Sequence, residues 1–270
     1  MFVSETPVPE NPMTIEVRQF LCRSDNFGAL VHCTETGATA AIDAPDGEAV
    51  AREVEASGWG LTDLLVTHKH ADHTDGIPLL VERYGAKVTA PKAEASAIPN
   101  VDRTVSEGDT VKVGNLVARV IDTPGHTLGH IAYVFERESP PVLFAADTLF
   151  SLGCGRMIEG NPEGFWDSLS KLRDLPDETV VYCGHEYTAS NARFALTIEP
   201  DNADLQERAR EVERLTAEGK PTLPVTLGLE KRTNPFLRAD FPPIAEHVAL
   251  SGRPAAEVFG EIRRRKDNFK

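Results

Sequence analysis

Residues 67–76, Thr-His-Lys-His-Ala-Asp-His-Thr-Asp-Gly, carry three imidazoles and two carboxylates within eight positions. The apolar run Leu64-Leu65-Val66 stands directly before them. A run that short, ending abruptly in polar residues, reads as a buried strand handing its last residues to a loop. His68 and His70 are two apart, so on extended backbone both side chains leave from one face. Asp72 and His73 follow where the chain turns and approach from another side. Imidazole with carboxylate suits zinc, manganese or iron. More donors are present than one four-coordinate ion takes, so the stretch predicts two adjacent metals.

The rest of the chain supplies matching strand ends. Residues 15–20, 28–34 and 38–43 read as strands whose apolar positions alternate only roughly, separated by Asp25-Asn26 and Thr36-Gly37 turn signals. Asp43 stops the third strand. Asp46 is placed to cap a helix running to about Ser57, with Val50 and Val54 on one face and Gly58 as its stop. Residues 61–67 form the strand entering the metal loop, and a helix over 77–84 ends at Gly85. Short strands follow near 87–90, 111–114 and 116–121, the last reaching Asp122-Thr123-Pro124-Gly125-His126. Residues 131–136 and 141–146 are two more, the second ending at Asp147. A helix over 163–174 precedes the strand 179–183, which ends at Gly184-His185. Four apolar strands thus deliver His68 with His70, His126, Asp147 and His185 to loops, as when a sheet edge carries a site.

After His185 the pattern becomes helical over 188–198 and 201–218, where Leu205, Ala209, Val212 and Leu215 form one stripe. Helices resume over 242–250 and 254–266, each with Pro early, where its missing N–H costs nothing. A mixed α/β portion, residues 1–186, is therefore followed by a helical portion, residues 187–270, with no flexible linker between them. The two should pack together.

The formal charge of −14 argues against a nucleic-acid partner, which calls for a basic surface. No stretch approaches the ~18 uninterrupted apolar residues of a membrane span. Residues 1–13, with Glu5, Glu10 and three prolines, lack the basic start and apolar core of a secretory signal and read as a loose leader. The four cysteines, Cys22, Cys33, Cys154 and Cys183, are scattered, as expected of free thiols in a reducing compartment. The expectation is a cytoplasmic protein, and a monomer by default.

Five histidines and two aspartates now stand at strand ends. Two ions roughly 3.5–4 Å apart share a bridging carboxylate and a bridging water. Asp147, alone at its strand end, is the natural bridge. Coordination lowers the pKa of water towards ~7, and one ion can also polarise a substrate carbonyl. No Ser or Cys sits in a nucleophile-elbow context. His130, four positions after His126, reads as a hydrogen-bonding support for a ligand. His32 and His247 read as ordinary structural or surface histidines.

The run Thr67-His68-Lys69-His70-Ala71-Asp72-His73, with Thr123-Pro124-Gly125-His126, Asp147-Thr148-Leu149-Phe150 and Cys183-Gly184-His185, resembles the metal motifs of the metallo-β-lactamase superfamily. Further stretches narrow the resemblance to the glyoxalase II, or hydroxyacylglutathione hydrolase, family. They are residues 147–156, Tyr182 through Tyr187 and Thr188, Asn234-Pro235-Phe236-Leu237-Arg238, and Arg263 to Lys266 with Asp267-Asn268-Phe269. The similarity runs from about Ile15 onward.

The resemblance implies a four-layer αββα sandwich followed by a C-terminal α-helical domain. It also implies cleavage of S-D-lactoylglutathione, a glutathione thioester, to D-lactate and glutathione. Two divalent metal ions would be bound, zinc first, with iron or manganese also suited. His68, His70 and His126 would hold one, and Asp72, His73 and His185 the other. Asp147 would bridge, and Asp72 would aim the bridging hydroxide. Arg156, Tyr187, Arg263 and Lys266 would contact the glutathione portion, the last two from one helix face. Thioester chemistry suits such a site, because a thiolate of pKa ~8.5 leaves without strong acid help.

Two departures stand out. Ile158 occupies a position where the family often has an aromatic hydroxyl, and Arg156 replaces a Lys of some members, keeping charge but changing geometry. Rival readings are a persulfide dioxygenase with a single iron, and a lactonase or β-lactamase without need of the cationic helix. A metal that only staples the fold would use fewer than the seven donors present.

Overall fold

The computed structural model describes residues 15–269; the leader read at residues 1–13 lies outside them. The first of two six-stranded sheets holds β1 (Ile15–Leu21), β2 (Phe27–Cys33), β3 (Thr39–Ile42), β4 (Asp63–Leu65), β5 (Lys87–Pro91) and β6 (Val101–Val105), in chain order. Its first three strands are antiparallel and the remainder parallel. The second sheet draws on β7 (Thr110–Val113), β8 (Leu116–Asp122), β9 (Ile131–Phe135) and β10 (Val142–Ala146). After a hairpin of β11 (Leu149–Phe150) and β12 (Gly153–Cys154), it is completed by β13 (Val180–Cys183) and β14 (Val225–Thr226). The order across it is β14-β13-β10-β9-β8-β7.

Most central strands are apolar on both faces, which is why their sequence alternates only roughly. In β2, Ala29, Val31 and Cys33 pack between the sheets while Leu30 faces outward. In β9, Ile131, Tyr133 and Phe135 face inward, and Ala132 and Val134 outward. Helices α1 (Gly47–Ser57) and α3 (Ile77–Tyr84) cover the first sheet through Val50, Val54, Ile77 and Leu80; between them, the single turn α2 (Ala71–Thr74) belongs to the His-rich loop of residues 67–76. Asp46 caps α1 by accepting from the Ala49 N–H, and Gly58 ends it at φ 73°.

The second sheet is covered by α4 (Pro162–Arg173), α5 (Thr188–Ile198), α8 (Pro242–His247) and α9 (Ala255–Asp267). Their contacts include Phe165, Leu169, Phe194, Ile244, Phe259 and Ile262. Helix α6 (Ala203–Ala217) packs on α5 through Leu205 and Ala209. The layers are therefore helix, sheet, sheet, helix, and the C-terminal helices share one core with the second sheet.

The C-terminal portion is not wholly helical. Val225 and Thr226 pair antiparallel with β13, and α7 (Leu227–Thr233) follows at once. Between the helices read over 201–218 and 242–250 the sequence shows no element, because segments of two and seven residues leave no period to read.

A buried pair at the end of α7 holds the β11–β12 hairpin. The Asn234 amide donates to Phe150 O at 3.1 Å, Gly153 O at 2.9 Å and the Glu230 carboxylate at 3.0 Å. Glu230 also accepts from the Ser151 hydroxyl at 2.7 Å and the Leu152 N–H at 2.8 Å. Asn234→Ala should cost about 2–3 kcal/mol, since three buried acceptors each lose a donor. A fall in the midpoint of thermal unfolding would register it.

Candidate metal centre

Strands β8, β10 and β13 run in one direction, so His126, Asp147 and His185 follow their C-terminal ends at one edge of the sandwich. β4 brings His68 and His70 to the same edge from the other sheet. Two bonds between the sheets fix the meeting: the Tyr133 hydroxyl donates to Val66 O, and Ile131 N–H to Thr67 O, both at 3.0 Å. Helix α2, one turn begun just after His70, swings Asp72 and His73 to the second side.

Two groups of donors result. The ligating atoms of His68, His70 and His126 lie within 4.8 Å of one another, as do those of Asp72, His73 and His185. His70 Nδ1 stands 3.1 Å from His68 Nε2 and 3.0 Å from His126 Nε2. Asp147 lies between the groups. Its Oδ1 is 3.4 Å from His73 Nε2, and its Oδ2 is 3.4 Å from His126 Nε2 and 3.5 Å from His185 Nε2. A side chain at Gly184 would collide with this carboxylate, so the strand end admits only glycine.

The tautomers are set from behind. His73 Nδ1–H donates to Asp43 at 2.8 Å, His185 Nδ1–H to Asp25 at 2.9 Å, and His126 Nδ1–H to Arg156 O at 2.9 Å. Thr67 Oγ1 donates to Asp43 at 2.8 Å and so accepts from His68 Nδ1–H at 3.0 Å. Each of these four rings thereby turns a bare Nε2 into the site.

Three imidazole lone pairs converging on one point repel unless a cation or shared proton joins them. One proton can link only part of the set. The buried His73 Nε2 and Asp147 Oδ1 have no hydrogen-bond partner among the described residues, and buried polar atoms are rarely left so. The donors present therefore fit a pair of ions. Among protein groups alone, burial opposes the charge on His73, but Asp147 and Asp43 outweigh it and hold the imidazole well above its usual range. Burial likewise opposes the Asp147 carboxylate, and His73 and His185 hold it well below the usual range. Burial, with His73 and His130 nearby, holds His68 well down.

A cleft of about 560 Å³ opens from these groups, and Arg156, Tyr187, Arg263 and Lys266 all line it. The Arg156 side chain is exposed and has no protein partner among the described residues. Tyr187 stacks on His185, ring centroids 4.7 Å apart. Lys266 donates to Ser190 O and Oγ, both at 3.1 Å, and burial, followed by the charge of Arg263, pushes its ammonium down to about 8. Arg263, which the resemblance implies as a glutathione contact, is largely committed within the protein. It is 5% exposed and donates to Cys154 O at 2.9 Å and to Asp267 at 2.9 Å. Ile158 is exposed and its side chain offers no hydrogen bond.

Family models match the chain in two consecutive parts: the metallo-beta-lactamase superfamily over residues 23–185 and the hydroxyacylglutathione hydrolase C-terminus over residues 186–269. The hydroxyacylglutathione hydrolase of Rhodopseudomonas palustris (strain ATCC BAA-98 / CGA009) is 57% identical over 256 residues, 95% of this chain and 100% of that one. The chain belongs to the hydroxyacylglutathione hydrolase family. The enzyme of that name from Bradyrhizobium sp. (strain ORS 278) is 55% identical over 255 residues, 94% of this chain and 99% of its own. Among solved structures, ETHE1 from Myxococcus xanthus superposes with a TM-score of 0.63 at 29% identity, covering 94% of this chain and 100% of that one. TTHA1623 in a di-iron-bound form gives a TM-score of 0.59 at 26% identity, covering 80% of this chain and 98% of that one. Fold and donor groups together suggest a binuclear metal site, the identity of the metal aside.

Several residues that build this centre escaped the sequence reading. Asp43, read as a strand stop, accepts from Thr67 N–H, Thr67 Oγ1 and His73. Asp25 and Asn26, read as a turn, reach His185 and Asp72. Glu94 was passed over entirely. A carboxylate at the end of the strand beside β4 was the one available signal, and it pointed to Asp43. His130 supports the centre from below: its Nε2 accepts from Asp147 N–H at 3.3 Å while Thr123 and Thr148 hold its Nδ1. His32 stacks on Trp59, away from the centre.

Proposed function

We infer that this chain hydrolyses hydroxyacyl thioesters of glutathione, S-D-lactoylglutathione foremost, to the free hydroxyacid and glutathione at a pair of divalent ions. The observation that carries the reading is the shared cleft. The two donor groups form one end of it, and the exposed Arg156 and the half-buried Lys266 line it with cations suited to the carboxylates of glutathione.

His68, His70 and His126 would hold one ion, Asp72, His73 and His185 the other, and Asp147 both. Zinc is the ion proposed, iron and manganese being suited to the same donors. Such ions, when bound, acidify water towards neutrality and polarise a thioester carbonyl. Asp72 has one oxygen committed to Asn26 and sits at the cleft, where it can accept a hydrogen bond from the attacking water and aim it. Arg156 and Lys266 anchor the glutathione carboxylates, and Tyr187 with Phe150 forms an apolar wall. The departing thiolate needs no proton donor, since its conjugate acid has a pKa of only ~8.5.

The four free cysteines suit the reducing cytoplasm proposed for the protein, which we take as a monomer. No helix among the described residues is long and apolar enough to cross a membrane.

Purified protein should contain close to two metal equivalents per chain and turn over lactoylglutathione without consuming oxygen. A single iron with oxygen uptake on glutathione persulfide would overturn the assignment. Full activity on a lactone or β-lactam with none on the thioester would do the same.

A further inference from the structure

Neither Glu94 nor Asn26 belongs to a donor group, yet each is 4% exposed and bound to the backbone beside one. Glu94 follows β5. Its Oε2 accepts from Lys69 N–H at 2.7 Å, between His68 and His70. Its Oε1 accepts from Gly129 N–H at 2.9 Å, three residues after His126. One carboxylate therefore joins the two loops that carry the whole first group. Even the fit is tight, since a Cβ on Gly129 would lie 2.5 Å from Glu94 Cγ.

Asn26 does the corresponding work on the other side. Its amide donates to Asp72 Oδ2 at 3.1 Å and Asp72 O at 3.2 Å, and lies 3.5 Å from His185 Nε2. The backbone around it is laced to the His185 loop: Phe27 N–H donates to Gly184 O at 2.8 Å, and Glu186 N–H to Asp25 O at 2.9 Å. No hydrogen bond links Asn26 to the first group, or Glu94 to the second. Asp43 is the contrast, because its carboxylate serves both, through Thr67 to His68 and directly to His73.

We propose that Glu94 and Asn26 are separate positioning residues for the two metal positions, so that each sets the affinity of one ion and spares the other. The proposal rests on the binuclear reading above. A hydrogen-bonded support behind a metal ligand is worth about 10- to 100-fold in affinity. Glu94→Gln keeps the shape but turns an amide N–H against a backbone N–H. Asn26→Leu keeps the size and removes the donor.

The test is zinc titration of the chelator-stripped full-length protein against a chromophoric competitor, repeated with cobalt so that spectra report the coordination of each position. Binding of two ions by the unaltered protein secures the binuclear reading before any variant is compared. Each single variant should then lose about 10- to 100-fold in one of the two dissociation constants and keep the other within about two-fold. The cobalt spectra of the two half-loaded variants should differ from each other. Asp43→Asn should weaken both constants together. Equal loss of both ions in either single variant, no loss in either, or identical spectra would overturn the proposal. Glu94→Asp and Asn26→Ser, milder changes read in the same way, decide the matter if a first variant does not fold.

Discussion

Asp147→Ala should abolish thioester hydrolysis and lower the metal content from about two ions per chain to one or fewer. Among the described residues its carboxylate alone stands within 3.5 Å of His73, His126 and His185 together, so no described neighbour can substitute. Lewis-acid stabilisation worth several kcal/mol disappears with the metal pair, and at about 1.36 kcal/mol per tenfold the loss in kcat/KM is roughly 10³ or more. Metal analysis and turnover on the same preparation check both halves.

The same substitution has a second effect in metal-stripped protein. There His73 is held well above its usual range, burial opposing but Asp147 and Asp43 prevailing, and Asp147 is held well below. A raised imidazole contributes stability that is full below its unfolded pKa of ~6.5 and lost as pH rises through its folded value. A lowered carboxylate contributes stability that is full above ~3.9 and lost as pH falls. Both apply between about pH 4 and 6.5. Stripping one partner from a buried pair costs about 3–5 kcal/mol, so stripped Asp147→Ala should melt well below stripped wild type near pH 5, the gap narrowing at high pH. Equal melting at pH 5 would show that the pair does not support the fold.

The residues legible in the sequence are those whose chemistry is concentrated locally. His68, His70, Asp72 and His73 announce themselves by spacing, and His126, Asp147 and His185 by standing where apolar strands stop. Their supports are single polar residues whose partners are remote: Asp43 lies 30 positions from His73, and Asp25 lies 160 from His185. Nothing in the local pattern of Asp25-Asn26 separates a turn from a clamp; only the topology that lays β1 and β2 beside β13's end does so. Asp43 adopts φ 57°, a left-handed conformation that aspartate tolerates, and this reads as a strand stop. Arg263 was legible as a cation but not as a buried one, because three residues of helical spacing fix which face it shares and not how deeply that face is covered. Strand β14 and helix α7 were lost for want of length.

Removing positive charge from the cleft should raise KM for lactoylglutathione while leaving kcat within a few-fold. Hydrogen bonds to charged groups contribute about 1.5–3 kcal/mol, so Arg156→Ala and Lys266→Met should each raise KM by roughly 10- to 100-fold. Deleting α9 would not isolate this effect. Val258, Phe259 and Ile262 on the same helix are 0% exposed in the core shared with the second sheet, so truncation removes packing together with charge. Arg263→Ala should likewise show first as lost stability, since its guanidinium pins the turn at Cys154 and Gly155.

Lys266 adds a pH signature that packing cannot mimic. Burial and the neighbouring Arg263 and Arg193 charges push its ammonium down to about 8. The cation proposed to attract the substrate carboxylate is therefore present below that pH and lost above it. Because kcat/KM reports groups of the free enzyme, its plot should fall above about pH 8, with kcat following less. Lys266→Met should remove this limb and leave a lower, flatter profile. Lys266→Arg should move the limb upward, since a guanidinium stays charged throughout the range. A limb that persists unchanged in both variants would assign the titration to another group and remove Lys266 from substrate binding.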